Sequence, residues 1–165
     1  MHTVFIGIGS NLGNRSKNCR EAINQLATCP HIKNLVKSKA CKSKALTKGD
    51  PDYINAVVKF ETELKPKELL RLVQRIEKKL GRVRTDKKWE SRTIDLDILF
   101  YDDLIVKEPD LIIPHPELHK RIFVLKPLCD IDPCWIHPVL KKTVKWLLEH
   151  KHRRQNENIH RQCGH

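Results

Sequence analysis

Asp95-Leu96-Asp97 places two carboxylates on one face of a strand, because alternate strand residues share a face and stand about 7 Å apart. Oxygen donors at that spacing suit Mg²⁺ or a pair of such ions; the competing reading is a solvated sheet face that carries two charges. Aspartate is disfavoured in strands, so the pair needs a reason. One lies just upstream. Gly81 to Arg92 reads as a loop rich in cations (Arg82, Arg84, Lys87, Lys88, Arg92) around Trp89, and long structureless loops in compact domains usually serve as lids or binding loops. Arginines can grip phosphate oxygens two at a time, and an indole can stack on a base or a guanidinium. Cations facing metal-bound carboxylates suit a polyphosphate whose charge rises in the transition state.

Other residues have a functional and a plain reading. His115 sits in Pro114-His115-Pro116, where two rings that fix φ can aim it at a site, although a capping or packed histidine explains it equally simply. Glu77 follows Val73 by four residues and falls on the border of a buried helical stripe, the usual place of a surface-edge glutamate. Tyr53, Asn55 and Phe123 are either core residues or two rings and an amide for a flat heterocycle. Gly7-Ile8-Gly9-Ser10-Asn11-Leu12-Gly13 has the spacing G-x-G-x-x-x-G, which departs from the dinucleotide fingerprint, so a tight turn is the expectation for Gly9 and Gly13. No Walker A sequence is present.

The elements that must position these residues follow from periodicity. Thr3 to Ile8 reads as a buried strand, and Arg15 to about Cys29 as a helix with Cys19, Ala22, Ile23 and Leu26 on one face. Ile32 to Ala40 reads as a strand, Cys41 to Pro51 as a long loop, and Tyr53 to Leu64 as a β-branched strand. Pro66 opens a helix through Leu69, Leu70, Val73, Ile76 and Leu80, and Gly81 ends it. Thr93 to Tyr101 alternates, with Ile94, Leu96, Ile98 and Phe100 on one face and the aspartates, Leu99 and Tyr101 on the other. Short strands at Leu104 to Ile105 and Leu111 to Ile113, a short helix near Pro116 to Arg121 and a last helix from about Thr143 to Glu149 complete the reading. The order β, α, β, β, α, β predicts an α+β, ferredoxin-like βαββαβ layer with a mainly antiparallel sheet plus extra C-terminal strands and helices. Helices would cover one sheet face and leave the other for a ligand. At 165 residues the chain fits one domain, here 1–150, and the polar, histidine-containing stretch 151–165 is expected to be a poorly ordered tail.

Composition narrows the class. Lys plus Arg number 32 against 20 Asp plus Glu, a net charge of +12 that favours an anionic partner. No apolar run reaches the ~18 residues of a membrane span, and Met-His-Thr-Val-Phe-Ile-Gly lacks a signal-peptide pattern, so a cytoplasmic protein without membrane association is the expectation. The six cysteines form no C-x-x-C pair, which argues for reduced thiols rather than a zinc ribbon.

Taken together, Ile8 to Gly13, Tyr53-Ile54-Asn55-Ala56-Val57, Glu77 to Arg84, Trp89, Arg92 to Leu99, and Pro114-His115-Pro116 with Arg121 to Leu128 closely resemble the 6-hydroxymethyl-7,8-dihydropterin pyrophosphokinases of folate synthesis, from about Thr3 to Leu148. The resemblance implies pyrophosphoryl transfer from ATP to the pterin hydroxymethyl oxygen, with AMP released. It implies that Asp95 and Asp97 hold two Mg²⁺ ions and that Arg82 and Arg92 assist the transfer. Ser43, Leu46, Tyr53, Asn55 and Phe123 would bind the pterin. Gln74, Glu77, Arg84, Trp89, Ile98, Ile112, His115 and Arg121 would bind ATP. The chain departs from the family where Glu90-Ser91 replaces the common Gly-Pro of the lid, and where Cys41-Lys42-Ser43-Lys44-Ala45 replaces a Tyr- and Thr-containing stretch. A monomer that binds no nucleic acid is expected. The rival reading is a basic single-stranded RNA-binding module of ferredoxin-like fold, which lacks an RNP1-like aromatic run and puts Asp95 and Asp97 in the path of phosphates.

Overall fold

The computed structural model describes the backbone of residues 1–45, 48–81 and 93–162, and side chains up to residue 158 within those segments. Strands β1 (His2–Ser10), β2 (Ile32–Lys37), β3 (Cys41–Ser43), β4 (Tyr53–Thr62) and β5 (Asp95–Tyr101) form one antiparallel sheet in the order β2-β4-β1-β5, with β3 pairing β4. Helices α1 (Arg15–Ala27) and α2 (Pro66–Lys79) supply the crossovers, which gives the α+β ferredoxin-like layer that the sequence predicts. A hairpin of β6 (Val106–Glu108) and β7 (Leu111–Ile113) follows, then a 3-10 turn at Leu118–Lys120, α3 (Ile122–Ile131) and α4 (Val144–Gln162).

Local chemistry sets the helix ends. Asn14 caps α1 by accepting the Lys17 N–H at 3.1 Å, and Pro66 opens α2 where its missing N–H costs nothing. Glu68 accepts the Lys65 N–H at 2.8 Å, so a carboxylate also meets the positive end of α2. Apolar residues on one face of each helix then pack on the sheet: Ala22, Leu26, Leu69, Val73 and Ile76 meet Val4, Ile6, Ile8, Val58 and Phe60.

The other sheet face differs from the expectation. It carries a second core, in which Phe5, Val57, Leu99 and Phe100 are covered by Leu118, Leu125, Leu128, Val144 and Leu147 from the C-terminal elements. Burying a side chain the size of Phe5 or Phe100 contributes about 1.5–3 kcal/mol, so covering this half of the sheet is strongly favoured. Among the described residues, the half near Gly7, Gly9, Asp95 and Asp97 opens into a cleft.

Several boundaries also move. The register between β1 and β5 shifts between Phe5 and Ile6: Phe5 pairs with Phe100 and Ile6 with Ile98, leaving Leu99 as the extra residue. Leu99 and Phe100 therefore both enter the second core and Tyr101 enters the first, contrary to simple alternation. The expected loop from Cys41 holds β3, Leu104 and Ile105 lie exposed ahead of β6, and the strand from Ile32 stops at Lys37. Helix α3 is an addition; Pro127 within it masks the helical signal, because proline lacks the N–H for the fourth residue back. Helix α4 continues past Glu149 to Gln162, through the polar stretch that was expected to be a poorly ordered tail.

Candidate active site

The cleft encloses about 520 Å³ between β1, β4 and β5, the residues Ser43, Lys44, Ala45 and Asp50, and the segment 115–124. Its floor is the open half of the sheet. Gly7 pairs with Asp97 and Gly9 with Asp95 across the β1–β5 ladder, and Gly9 pairs with Asn55 on its other side. Alternate residues of three adjacent strands thus bring Asp95, Asp97, Tyr53 and Asn55 to one surface. Gly9 lies within β1 rather than in a turn, which corrects the expectation. A Cβ there would sit 3.3 Å from Asn55 Oδ1 and 3.6 Å from Tyr53 Cδ1, so the missing side chain makes room for both. Gly13 does turn the chain, at φ +68.

Asn55 is 6% exposed, and its amide nitrogen donates to Cys41 O at 3.1 Å and to Ser43 Oγ at 2.8 Å. These bonds tie β3 to β4 and orient the amide oxygen toward Gly9. Ser10 Oγ donates to Thr93 O at 2.5 Å, and the Asn18 amide donates to Leu12 O at 2.9 Å and Thr93 O at 3.2 Å. The end of β1 is thereby fastened to the residues that lead into Asp95.

The opposite wall comes from the chain after β7. The His115 N–H donates to Leu99 O at 3.0 Å, and the buried Leu118 anchors the turn that follows. The Glu117 N–H donates to His115 Nδ1 at 3.1 Å. That bond leaves the proton of the neutral ring on Nε2, which stands 3.9 Å from Asp97 Oδ2. Burial lowers the His115 pKa, the Arg121 charge lowers it further, and Asp95 and Glu117 oppose these effects only in part. The Arg121 guanidinium lies 5.8 Å from the centroid of the Phe123 ring, and both residues line the cleft.

The structure therefore brings together Ser43, Tyr53, Asn55, Asp95, Asp97, His115, Arg121 and Phe123. Gln74 instead lines a separate cavity of about 670 Å³ beside Arg71 and Arg75 on α2. Glu77 is 3% exposed, so the surface-edge reading is corrected to a buried carboxylate of α2. Ile98 is buried on the helix side of β5, whereas Ile112 is exposed on β7. Leu46, Arg82, Arg84, Trp89 and Arg92 lie outside the described residues. Lys44, Asp50, Glu117 and Lys120 also line the cleft and were not singled out by sequence; charged residues in loops give no periodic signal.

Among the described residues no group of three or more His, Cys, Asp or Glu side chains is placed to hold a metal ion. Two strand carboxylates still fit Mg²⁺, which keeps several waters and commonly takes one or two carboxylates together with substrate phosphates. The class that fold and site define is an antiparallel α+β domain whose sheet floors an aromatic-walled, carboxylate-bearing cleft.

Comparison with known proteins gives the particular family. Residues 5–133 match the model of the 7,8-dihydro-6-hydroxymethylpterin-pyrophosphokinase family. The chain is 40% identical over 148 residues to a 2-amino-4-hydroxy-6-hydroxymethyldihydropteridine pyrophosphokinase of Synechocystis sp., covering 90% of this chain and 75% of that protein. It is 40% identical over 155 residues to the protein of the same name from Haemophilus influenzae, covering 92% and 96%. Folic acid synthesis protein fol1 of Pneumocystis carinii is 47% identical over 137 residues, which are 82% of this chain and 18% of that protein. In fold, the chain is similar to wild-type Plasmodium falciparum HPPK-DHPS solved with pteroate, with a TM-score of 0.76 at 14% identity, covering 96% of this chain and 46% of that one. The chain thus spans less than half of that solved structure. It belongs to the 7,8-dihydro-6-hydroxymethylpterin-pyrophosphokinase family.

Proposed function

We propose that this chain catalyses the reaction for which its family is named, in folate biosynthesis: ATP and 6-hydroxymethyl-7,8-dihydropterin give the pterin diphosphate and AMP. The pterin hydroxyl oxygen forms a bond to the β-phosphorus, the bond from that phosphorus to the α,β-bridging oxygen breaks, and the hydroxyl proton is released. The observation that carries this reading is the opening of Asp95 and Asp97 into the same cleft as Tyr53, Asn55 and Phe123.

Tyr53 and Phe123 sandwich the pterin, and Ser43 and Leu46 complete its pocket. With its nitrogen donating to Cys41 O and Ser43 Oγ, Asn55 keeps Oδ1 to accept from the N–H edge of the ring. Asp95 and Asp97 hold two Mg²⁺ ions, which supply charge neutralisation at the phosphates and the attacking oxygen. His115, neutral and with its proton on Nε2, donates to a phosphate oxygen. Arg121 and Arg84 bind the phosphates, and Arg82 and Arg92 neutralise charge as the bond to the bridging oxygen breaks. Ile98 and Ile112 offer backbone atoms to the adenine, Trp89 serves the nucleoside, and Gln74 and Glu77 support it from α2. Positioning and electrostatics carry the rate, and no side chain acts as a dedicated base.

We extend the reading to organisation: residues 1–150 form the catalytic domain, 151–165 lie outside it, and the protein is a cytoplasmic monomer. No helix among the described residues is long and apolar enough to cross a membrane. The reaction is tested by incubating the protein with ATP, Mg²⁺ and the hydroxymethyl dihydropterin and separating AMP from ADP. AMP together with the pterin diphosphate is the expected outcome; ADP would mean transfer of one phosphoryl group, and no pterin-dependent product would remove the reaction.

A further inference from the structure

Glu117 caps and Lys120 closes the 3-10 turn that forms one rim of the cleft. Such a turn has three residues per turn, so residues i and i+3 eclipse one another. Leu118 is fully buried and fixes the inward side, which leaves Glu117 and Lys120 together on the cleft side with Glu117 Oε2 3.7 Å from Lys120 Nζ. The two side chains are 43% and 58% exposed, and an ion pair that accessible contributes only about 0.2–1 kcal/mol. It is too weak to be the staple of the turn, a role already filled by Leu118 in the core. It is also a weak competitor for the ammonium, since one carboxylate offers one charge whereas a diphosphate ester offers more than one, on several acceptor oxygens. Arg121 and Phe123, the next residues of the same wall, face the same cleft.

We propose that Lys120 binds the transferred diphosphoryl group on the pterin side of the cleft, exchanging Glu117 for phosphate oxygens, and that Glu117 sets the affinity by competing for the ammonium. This inference rests on the pyrophosphokinase reading above and adds to it a further binding residue with its own counter-charge. It predicts effects of opposite sign from the two halves of one ion pair, which a purely structural pair would not give.

The test is calorimetric titration of the whole protein with 6-hydroxymethyl-7,8-dihydropterin and, separately, with its diphosphate. Lys120→Met is expected to weaken the diphosphate about tenfold, the order for one charge-assisted contact, and to leave the unphosphorylated pterin within about twofold. Lys120→Arg should retain the diphosphate affinity, and Glu117→Gln should tighten it about threefold, because the competitor is gone. Losses of both ligands in parallel, or losses from both Lys120→Met and Glu117→Gln, would overturn the proposal and return the pair to a structural role. A wild-type protein that binds neither ligand would overturn the pyrophosphokinase reading itself, whereas one that binds both while Lys120→Met binds the diphosphate unchanged would overturn Lys120 alone.

Discussion

His115 Nε2 stands 3.9 Å from Asp97 Oδ2, although the two residues reach the cleft by unrelated routes. Asp97 is placed by strand alternation, and His115 by a backbone bond to Leu99 O and by the Glu117 N–H on its Nδ1. A neutral ring with a fixed tautomer can donate from Nε2 without adding a full cation beside the Asp97 carboxylate.

Replacing Asp95 or Asp97 by Asn keeps size and hydrogen bonding but removes an anionic oxygen donor. Turnover is expected to fall about a hundredfold or more, the scale of losing several kcal/mol of charge stabilisation, with little change in the melting temperature because both residues are only partly buried. AMP formation followed against Mg²⁺ concentration checks this. A rate near that of wild type in either variant would remove that carboxylate from the metal site.

Gly9→Ala would place its Cβ 3.3 Å from Asn55 Oδ1, tighter than ordinary contact, while adding nothing on the helix side of the sheet. Asn55 is held from behind by Cys41 O and Ser43 Oγ, so it yields only at a cost of about 1 kcal/mol or more. Pterin affinity should drop about tenfold with the circular dichroism spectrum unchanged. An unaltered affinity would show that the amide does not touch the pterin.

His137 is 4% exposed, and its Nδ1 accepts the N–H groups of Val139 and Leu140 at 3.2 and 3.1 Å. Burial, aided by the charge of His119, lowers its pKa from 6.5 to about 4. The unfolded chain therefore takes up a proton at a pH where the folded one does not. The stability due to the neutral ring is present above pH 6.5 and is lost as the pH falls from 6.5 toward 4. His137→Asn keeps an acceptor without a titrating ring, so denaturant midpoints measured across this range should fall less steeply than in wild type. Equal slopes would exclude His137 as the source.

Lys59 joins Asp132 at 2.8 Å and lies 5.4 and 5.6 Å from the ring centroids of Phe5 and Trp135, linking β4 to the end of α3. Lys59→Met leaves Asp132 unpaired in a mostly covered position and loses the ring contacts. Urea unfolding should show a loss of about 1–3 kcal/mol with the KM for pterin unchanged. A raised KM with unchanged stability would instead place Lys59 in the catalytic apparatus.

Much of the architecture was legible because it rests on local periodicity. The helical spacing from Leu69 to Leu80, the alternation from Ile94 to Ile98 and the capping chemistry at Pro66 depend on neighbours a few residues apart. Asp95 and Asp97 were legible for the same reason, since two charges on one strand face contradict β propensity unless something uses them. What escaped depends on contacts remote in sequence. The bulge at Leu99 sends Phe100 and Tyr101 to faces that alternation assigns the other way, because β1 and β5 must match two cores at once. The helical spacing of Ile122 to Ile131 was hidden by Pro127, and the strand role of Gly9 by its resemblance to a turn residue.

The sequence by itself determined the βαββαβ order, the paired carboxylates and the residue types of the cleft, because backbone propensity and side-chain chemistry belong to the chain wherever it folds. Only the tertiary structure decided that α3 and α4 cover half of the second sheet face, that Gly9 leaves space between Asn55 and Asp95, and that the Glu117 N–H sets the tautomer of His115. Those outcomes depend on volume and hydrogen-bond geometry between segments far apart in sequence, which come into contact only once the sheet has closed over its two cores.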